Sequence, residues 1–355
     1  MDRIHPVQQF LAERQIDGAL LCQPENRRYF SGFTGSTGYV LLTQHGAWFF
    51  TDFRYTEQAK RQCPGFTIAD ITPTCSLFDH LKRMSLRTLA VEEDFISLAF
   101  SRRLQQECSL QLVADIAPAI RAQRWIKNAA EQDCIRRACE ITDQAFDHIL
   151  TVIRPGITEA EINLELQHFM LRQPGVERTA DRFIVASGPR GSMPHGIATD
   201  RAVQSGELVT MDFGCCYQGY WSDLTRTVCV GKASNAQKEI YACVLEAQRR
   251  AIAAVRPGIT GRSVDQVARD YIASQGHKEH FGHGLGHSFG LEIHEPPRFA
   301  PNEEGDIPLV PGMIMTVEPG VYIEGFGGVR IEDDIVITAD GCQLLSNCRR
   351  DLVEL

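Results

Sequence analysis

The chain has 355 residues, 43% of them hydrophobic and 23% charged, with a formal net charge of −9. That is more than a single hydrophobic core ordinarily spans, so two domains are expected. The acidic balance argues against nucleic acid or an anionic membrane as the main partner, and no apolar run is long enough to span a bilayer.

From Gly18 to Asp115 short apolar runs alternate with helical stretches. Residues 18–22, 38–43, 47–52, 66–71, 88–93 and 110–115 read as strands, with helices over 55–62 and 97–107. This is an α/β domain with a mixed or parallel sheet. Gly32, Gly35 and Gly38 do not make the G-x-G-x-x-G of a dinucleotide site, and no catalytic constellation stands here. Ala117-Pro118 ends the last strand, and a helix with apolar positions at Ile135, Ala138, Ile141, Ala145 and Ile149 follows. The expected division is 1–122 for the first domain and 123–355 for the second.

The second domain repeats itself. Ile153-Arg-Pro-Gly-Ile-Thr158 recurs as Val255-Arg-Pro-Gly-Ile-Thr260, each where one helix stops at Pro-Gly and a threonine can cap the next. Thr210-Met-Asp-Phe-Gly214 is echoed by Thr316-Val-Glu-Pro-Gly320. Two echoes in one order predict duplicated α+β halves, two helices then a hairpin, each lending acidic strand residues to one cleft.

Val209 to Thr227 reads as two strands joined at Tyr217-Gln218-Gly219, carrying Asp212 and Asp223. In a hairpin with an even-length loop these two carboxylates point to the same face. Facing like charges destabilise a sheet unless something cationic lies between them, and a metal ion is the simplest candidate. Asp212-Phe213-Gly214 matches a kinase tripeptide, but the rest of that signature is missing. Further on, His283, His287 and His294 lie in a glycine-rich run that is too broken for a helix, while His277 and His280 sit in a polar, surface-like stretch. Residues 313–323 read as a strand broken at Pro319-Gly320 and carrying Glu318. Residues 327–338 read as the last strong strand, with Arg330 and Glu332 on one face. A glutamate among Val and Ile is either paired with an arginine or bound to a cation. Four carboxylates and an imidazole suit two divalent ions. Oxygen-dominated ligation favours manganese or cobalt, with zinc also compatible. Such a pair activates water for hydrolysis.

The motifs TMDFG-x7-SDLTRT, HGLGH-x6-HE, TVEPGVY and GVRIEDDIVIT, in this order, resemble the pita-bread metallopeptidases. Their spacing is similar to the branch of Xaa-Pro aminopeptidases and Xaa-Pro dipeptidases (prolidases). The likeness covers the chain from about residue 125 onward. It implies an α+β pita-bread domain, preceded by a smaller creatinase-type α/β domain. It further implies Asp212 as ligand of one metal, Asp223 and Glu332 as bridges, His287 as the metal histidine, and Glu318 as ligand and general base. His283 and His294 would face the substrate and His195 would be a further active-site histidine, with Tyr322 and Arg330 on the substrate side. The substrate class implied is a peptide with proline in second position, and the assembly a homodimer. Creatinase-type amidinohydrolases and non-catalytic relatives lack this ligand set, and methionine aminopeptidases generally lack such a preceding domain. An aminopeptidase of broader specificity on the same site is the remaining alternative. The first residues lack a secretion signal, and the 12 scattered cysteines form no C-x-x-C pair, so reduced thiols and a cytoplasmic location are expected.

Overall fold

A computed structural model describes residues 3–113 and 116–355. The chain divides into two compact units, Met1–Arg124 and Trp125–Leu355.

In the first unit a six-stranded sheet runs in the order β4-β3-β2-β1-β5-β6. Its strands are β1 Gly18–Leu21, β2 Tyr39–Thr43, β3 Gly46–Asp52, β4 Thr67–Ile71, β5 Thr88–Val91 and β6 Gln111–Val113. β1 to β3 pair antiparallel, while β3–β4, β1–β5 and β5–β6 pair parallel, so the sheet is mixed. The helices α1 His5–Glu13, α2 Pro24–Ser31, α3 Thr56–Gln62, α4 Leu77–Arg83 and α5 Leu98–Cys108 accompany it. The sixth strand was expected to run to Asp115; Ala114 and Asp115 lie outside the described residues. Helix α6 Ile116–Trp125 follows, and Pro118 falls in its first turn instead of ending a strand. A proline is tolerated there because the first turn has no intrahelical partner for its N–H.

The second unit carries the two expected halves. The first opens with α7 Ala129–Leu150 and α8 Glu159–Leu171, the second with α9 Asn235–Ala254 and α10 Gly261–Ser274. Both Pro-Gly turns put their glycine at positive φ, Gly156 at 91° and Gly258 at 87°. Beyond them the Thr158 and Thr260 hydroxyls accept N–H bonds from Glu161 and Ser263, capping α8 and α10. The first half continues as β7 Val176–Thr179, β8 Ile184–Ser187, β9 Glu207–Phe213, β10 Cys215–Tyr217, β11 Tyr220–Trp221 and β12 Leu224–Val230. The second continues as β13 Gly286–Ser288, β14 Glu295–Phe299, β15 Ile314–Val317, β16 Gly320–Ile323, β17 Gly327–Arg330, β18 Asp333–Ile337 and β19 Cys342–Leu344. The ladders β8–β9–β12 and β14–β13–β15–β18–β19 are antiparallel throughout.

Two strands expected as continuous are broken. The hairpin around Gln218-Gly219 is only the short β10–β11 pair, and β9 and β12 form a separate ladder below it. Gly214 is the hinge: a Cβ there would run into the Ser222 carbonyl. Residues 327–338 divide into β17 and β18 at Ile331-Glu332, where the Arg226 guanidinium bonds the Glu332 carbonyl and takes the Asp333 carboxylate at 2.7 Å. Apolar cores lie behind each half: Val209, Met211, Val228 and Val230 pack with α7 and α8, and Met315, Val317, Ile335 and Ile337 with α9 and α10. No disulfide joins any of the 12 cysteines, and no helix among the described residues is long and apolar enough to cross a membrane.

Candidate metal centre

Asp212 pairs with Thr225 across the β9–β12 ladder, so Asp223 lies diagonally across from it on the same face. Across from them Glu332 stands at the β17–β18 break, and His287 sits on β13. Donor atoms of Asp223, His287 and Glu332 all lie within 4.8 Å of one another, and all three residues are buried. They share a cavity of about 390 Å³ with Asp212, Glu318, Arg330, His195, His283 and His294. All the carboxylates and histidines singled out above therefore line one space. His277 and His280 do not; they are half-buried in a short turn.

The electrostatics of this cluster resist leaving its carboxylates charged without a cation. Burial, and then Asp212, Asp334 and Glu318, push the Asp223 carboxyl well above the usual range. Burial followed by Asp223, Glu318 and Asp212 does the same to Glu332. Glu318 is raised to about 7, chiefly by burial. His287 adds the sharper argument. Its Nδ1–H donates to the Ser288 carbonyl at 3.1 Å, which leaves Nε2 as a lone pair. Burial holds the ring neutral, at about 3. That lone pair faces Glu318 Oε1 at 3.4 Å and Asp223 Oδ2 at 3.7 Å. Three acceptors facing each other repel unless a proton or a cation stands among them, and the donor set fits a divalent metal.

Asp212 is turned differently. Its Oδ2 accepts from the buried Arg330 guanidinium at 2.7 Å, and the three-residue cluster does not include it. Arg330 also donates to Thr225 Oγ1 at 3.0 Å, the Pro194 carbonyl at 3.2 Å and Tyr322 Oη at 2.9 Å. His283 Nδ1–H donates to the Gly284 carbonyl at 2.7 Å, so Nε2 accepts from the Tyr322 hydroxyl at 2.9 Å. Burial lowers His283 to about 4. His294 and His195 are exposed to the cavity, and the His294 ring centre is 4.5 Å from that of His287.

The sequence reading missed several supporting residues. Thr225 Oγ1 donates to Glu332 Oε2 at 2.6 Å and Thr316 Oγ1 to Glu318 Oε1 at 3.2 Å. Both threonines stand two residues from a site carboxylate on the same strand face (Asp223, Glu318), a spacing that could have revealed them. Arg298, Asn302 and Glu304 form a further wall of the cavity. Nothing in their local sequence signals it.

A buried carboxylate–imidazole cluster, held by strands of two repeated α+β halves, defines a metallohydrolase of the pita-bread class. Residues 133–339 match the family model of metallopeptidase family M24, and residues 3–126 match that of the creatinase/prolidase N-terminal domain. The chain belongs to metallopeptidase family M24. It is 35% identical to an Xaa-Pro dipeptidase of Pyrococcus horikoshii, over 99% of each chain. Its structure is similar to that of an Xaa-Pro dipeptidase from Bacillus anthracis, with a TM-score of 0.95 and 40% identity over 99% of each chain. It is also similar to an X-Pro aminopeptidase from Thermotoga maritima, with a TM-score of 0.89, 38% identity, and 97% and 99% of the two chains covered. Membership implies divalent metal ions at this centre.

Proposed function

We propose that the chain is an exopeptidase that hydrolyses the bond between an N-terminal residue and a following proline, using two divalent ions. The observation that supports this most is the neutral His287 lone pair facing buried carboxylates in a cavity of peptide-fragment size. Asp212, Asp223, His287, Glu318 and Glu332 would hold the metals, with manganese the first choice and cobalt or zinc alternatives. When bound, such ions polarise the scissile carbonyl and lower the pKa of water.

Glu318 lines the cavity beside His287 and is suited to take a proton from the attacking water and return it to the leaving amine. His294 and His195 face the cavity, where a ring N–H can steady the carbonyl oxygen. His283 stands on the same wall, locked to Tyr322 and through it to Arg330. Arg330 holds Asp212 and Tyr322 with donors already engaged. Among the described residues the Arg298 guanidinium makes a single ion-pair contact, 3.9 Å to Glu304, and its side chain is 38% exposed. We therefore assign Arg298 to the free carboxylate of a dipeptide, which favours Xaa-Pro over longer peptides. A homodimer and a cytoplasmic location complete the reading.

The test compares release of the N-terminal residue from Xaa-Pro and Xaa-Pro-Xaa, with Mn(II) and after chelation. Turnover that survives a strong chelator overturns the mechanism. Cleavage of other dipeptides but not Xaa-Pro overturns only the specificity.

A further inference from the structure

Lys127 and Glu295 form an ion pair inside the second unit. Nζ lies 3.4 Å from Oε2, with side chains 2% and 4% exposed. Two charges withdrawn from water lose more hydration than their attraction returns unless their geometry is well supported, and an apolar pair is often as stable. Such a pair is weak evidence for stability, so what it touches is the more telling observation.

Its contacts indicate one. Lys127 Nζ also donates to Ser288 Oγ at 2.9 Å. Ser288 is the residue whose carbonyl fixes the His287 ring through Nδ1. Ser288 and Glu295 are cross-strand partners on β13 and β14, beside an irregularity in the ladder. Glu295 Oε1 accepts the Glu292 N–H at 3.1 Å and so ties down the connecting segment that ends on His294. Gly290, in the middle of that segment, packs onto the pair: a Cβ there would lie 3.0 Å from Lys127 Cε and 3.2 Å from Glu295 Oε1. Lys127 is itself anchored, its N–H donating to the Gly312 carbonyl and its carbonyl accepting from Gln132.

We propose that Lys127 and Glu295 are positioning residues that set the orientation of His287 and its spacing from His294, which rests on the hydrolase reading of this centre. One ammonium group grips the residue after His287 and the residue after His294, so the two imidazoles move as a unit. Neither Lys127 nor Glu295 lines the cavity.

The experiment uses the full chain with three changes: Lys127→Met, the double Lys127→Met/Glu295→Leu, and Ser288→Ala. Each is read by thermal melting, by calorimetric affinity for Mn(II) alone, and by kcat and KM for Xaa-Pro at saturating Mn(II). Lys127→Met takes the ammonium away from a buried carboxylate and loses both stability and activity. The double variant should regain the melting temperature yet bind Mn(II) roughly 10-fold or more weakly, as expected when the partner that orients a ligand is removed. Its kcat should fall while KM stays within about 2-fold, because His294 acts on the reacting carbonyl. Recovery of Mn(II) affinity and kcat together with stability would overturn the proposal. Should the double variant not fold, Ser288→Ala decides: unchanged Mn(II) affinity and kcat overturn it, a loss of affinity upholds it. A wild type that binds Mn(II) but leaves Xaa-Pro intact refutes the substrate reading alone, and the affinity comparison still stands.

Discussion

Glu318→Gln should stabilise the metal-free protein and destabilise the metal-loaded one. Burial raises the Glu318 carboxyl from its ordinary 4.5 to about 7. A carboxyl whose folded value is raised binds its proton more tightly in the folded state, so stability falls as pH climbs through that value. The full shift corresponds to roughly 3 kcal/mol once the group is ionised. Relaxation of a partly exposed side chain, and the weaker bond a glutamine makes with Thr316, reduce the expected gain to about 1–2 kcal/mol. For a unit of this size that is a rise of roughly 2–8 °C in melting temperature at pH 8. The histidines of the site are common to both proteins, so their contribution cancels in the comparison. The assay is thermal melting of both proteins with excess chelator from pH 5 to 8.5, repeated with excess Mn(II). The variant's advantage should vanish near pH 5 and reverse with metal, since the wild type gains about 4 kcal/mol at a thousandfold excess over Kd. A metal-free variant no more stable than wild type at pH 8, or an advantage that does not shrink with acid, would refute the account of the cluster as a cation site.

Two further predictions concern how the site is held. Gly214→Ala sets a methyl group against the Ser222 carbonyl, between the strands of Asp212 and Asp223; it should cost about 1–3 kcal/mol and weaken Mn(II) binding, checked by urea unfolding and calorimetry. Glu159 is fully buried and accepts from Ser187 N and Oγ, both at 2.8 Å, from Thr199 Oγ1 at 2.7 Å, and from Arg190, close to the loop that carries His195. Glu159→Ala should cost about 3–5 kcal/mol at neutral pH. Although burial opposes it, these donors hold the Glu159 carboxyl below its ordinary value, so the difference from wild type should narrow as pH falls through that lowered value. Melting curves at pH 7 and pH 4 test the sign.

Much of this was legible in local spacing. The Pro-Gly turns and their threonine caps announced the repeated halves, and the eleven-residue interval put Asp212 and Asp223 on one face. Period and capping depend on neighbours in the chain, which a sequence displays directly. Lys127 was invisible for the opposite reason: its partners lie more than 160 residues away, and a lone lysine before a helix carries no pattern. The break after Arg330 was hidden likewise. Ile331-Glu332 alternates like the rest of the strand, and its backbone groups are taken by distant partners: Gln248 and Arg226 bond the two carbonyls, and the Glu332 N–H donates to the Thr225 carbonyl.

The sequence left Glu332 with two possible partners, an arginine or a cation, and the distribution of arginines bears on the choice. Arg226 and Arg350 are both taken up by Asp333, the next residue but one face away. Arg330, which shares the strand face of Glu332 in the sequence pattern, gives its guanidinium to Asp212. Among the described residues the Glu332 carboxylate receives a single hydrogen bond, from the Thr225 hydroxyl, and otherwise confronts Asp223 and His287. Each of these three guanidinium groups is engaged by a carboxylate other than Glu332. A buried glutamate left in that company is either protonated or bound to a metal ion, and the His287 lone pair beside it favours the ion.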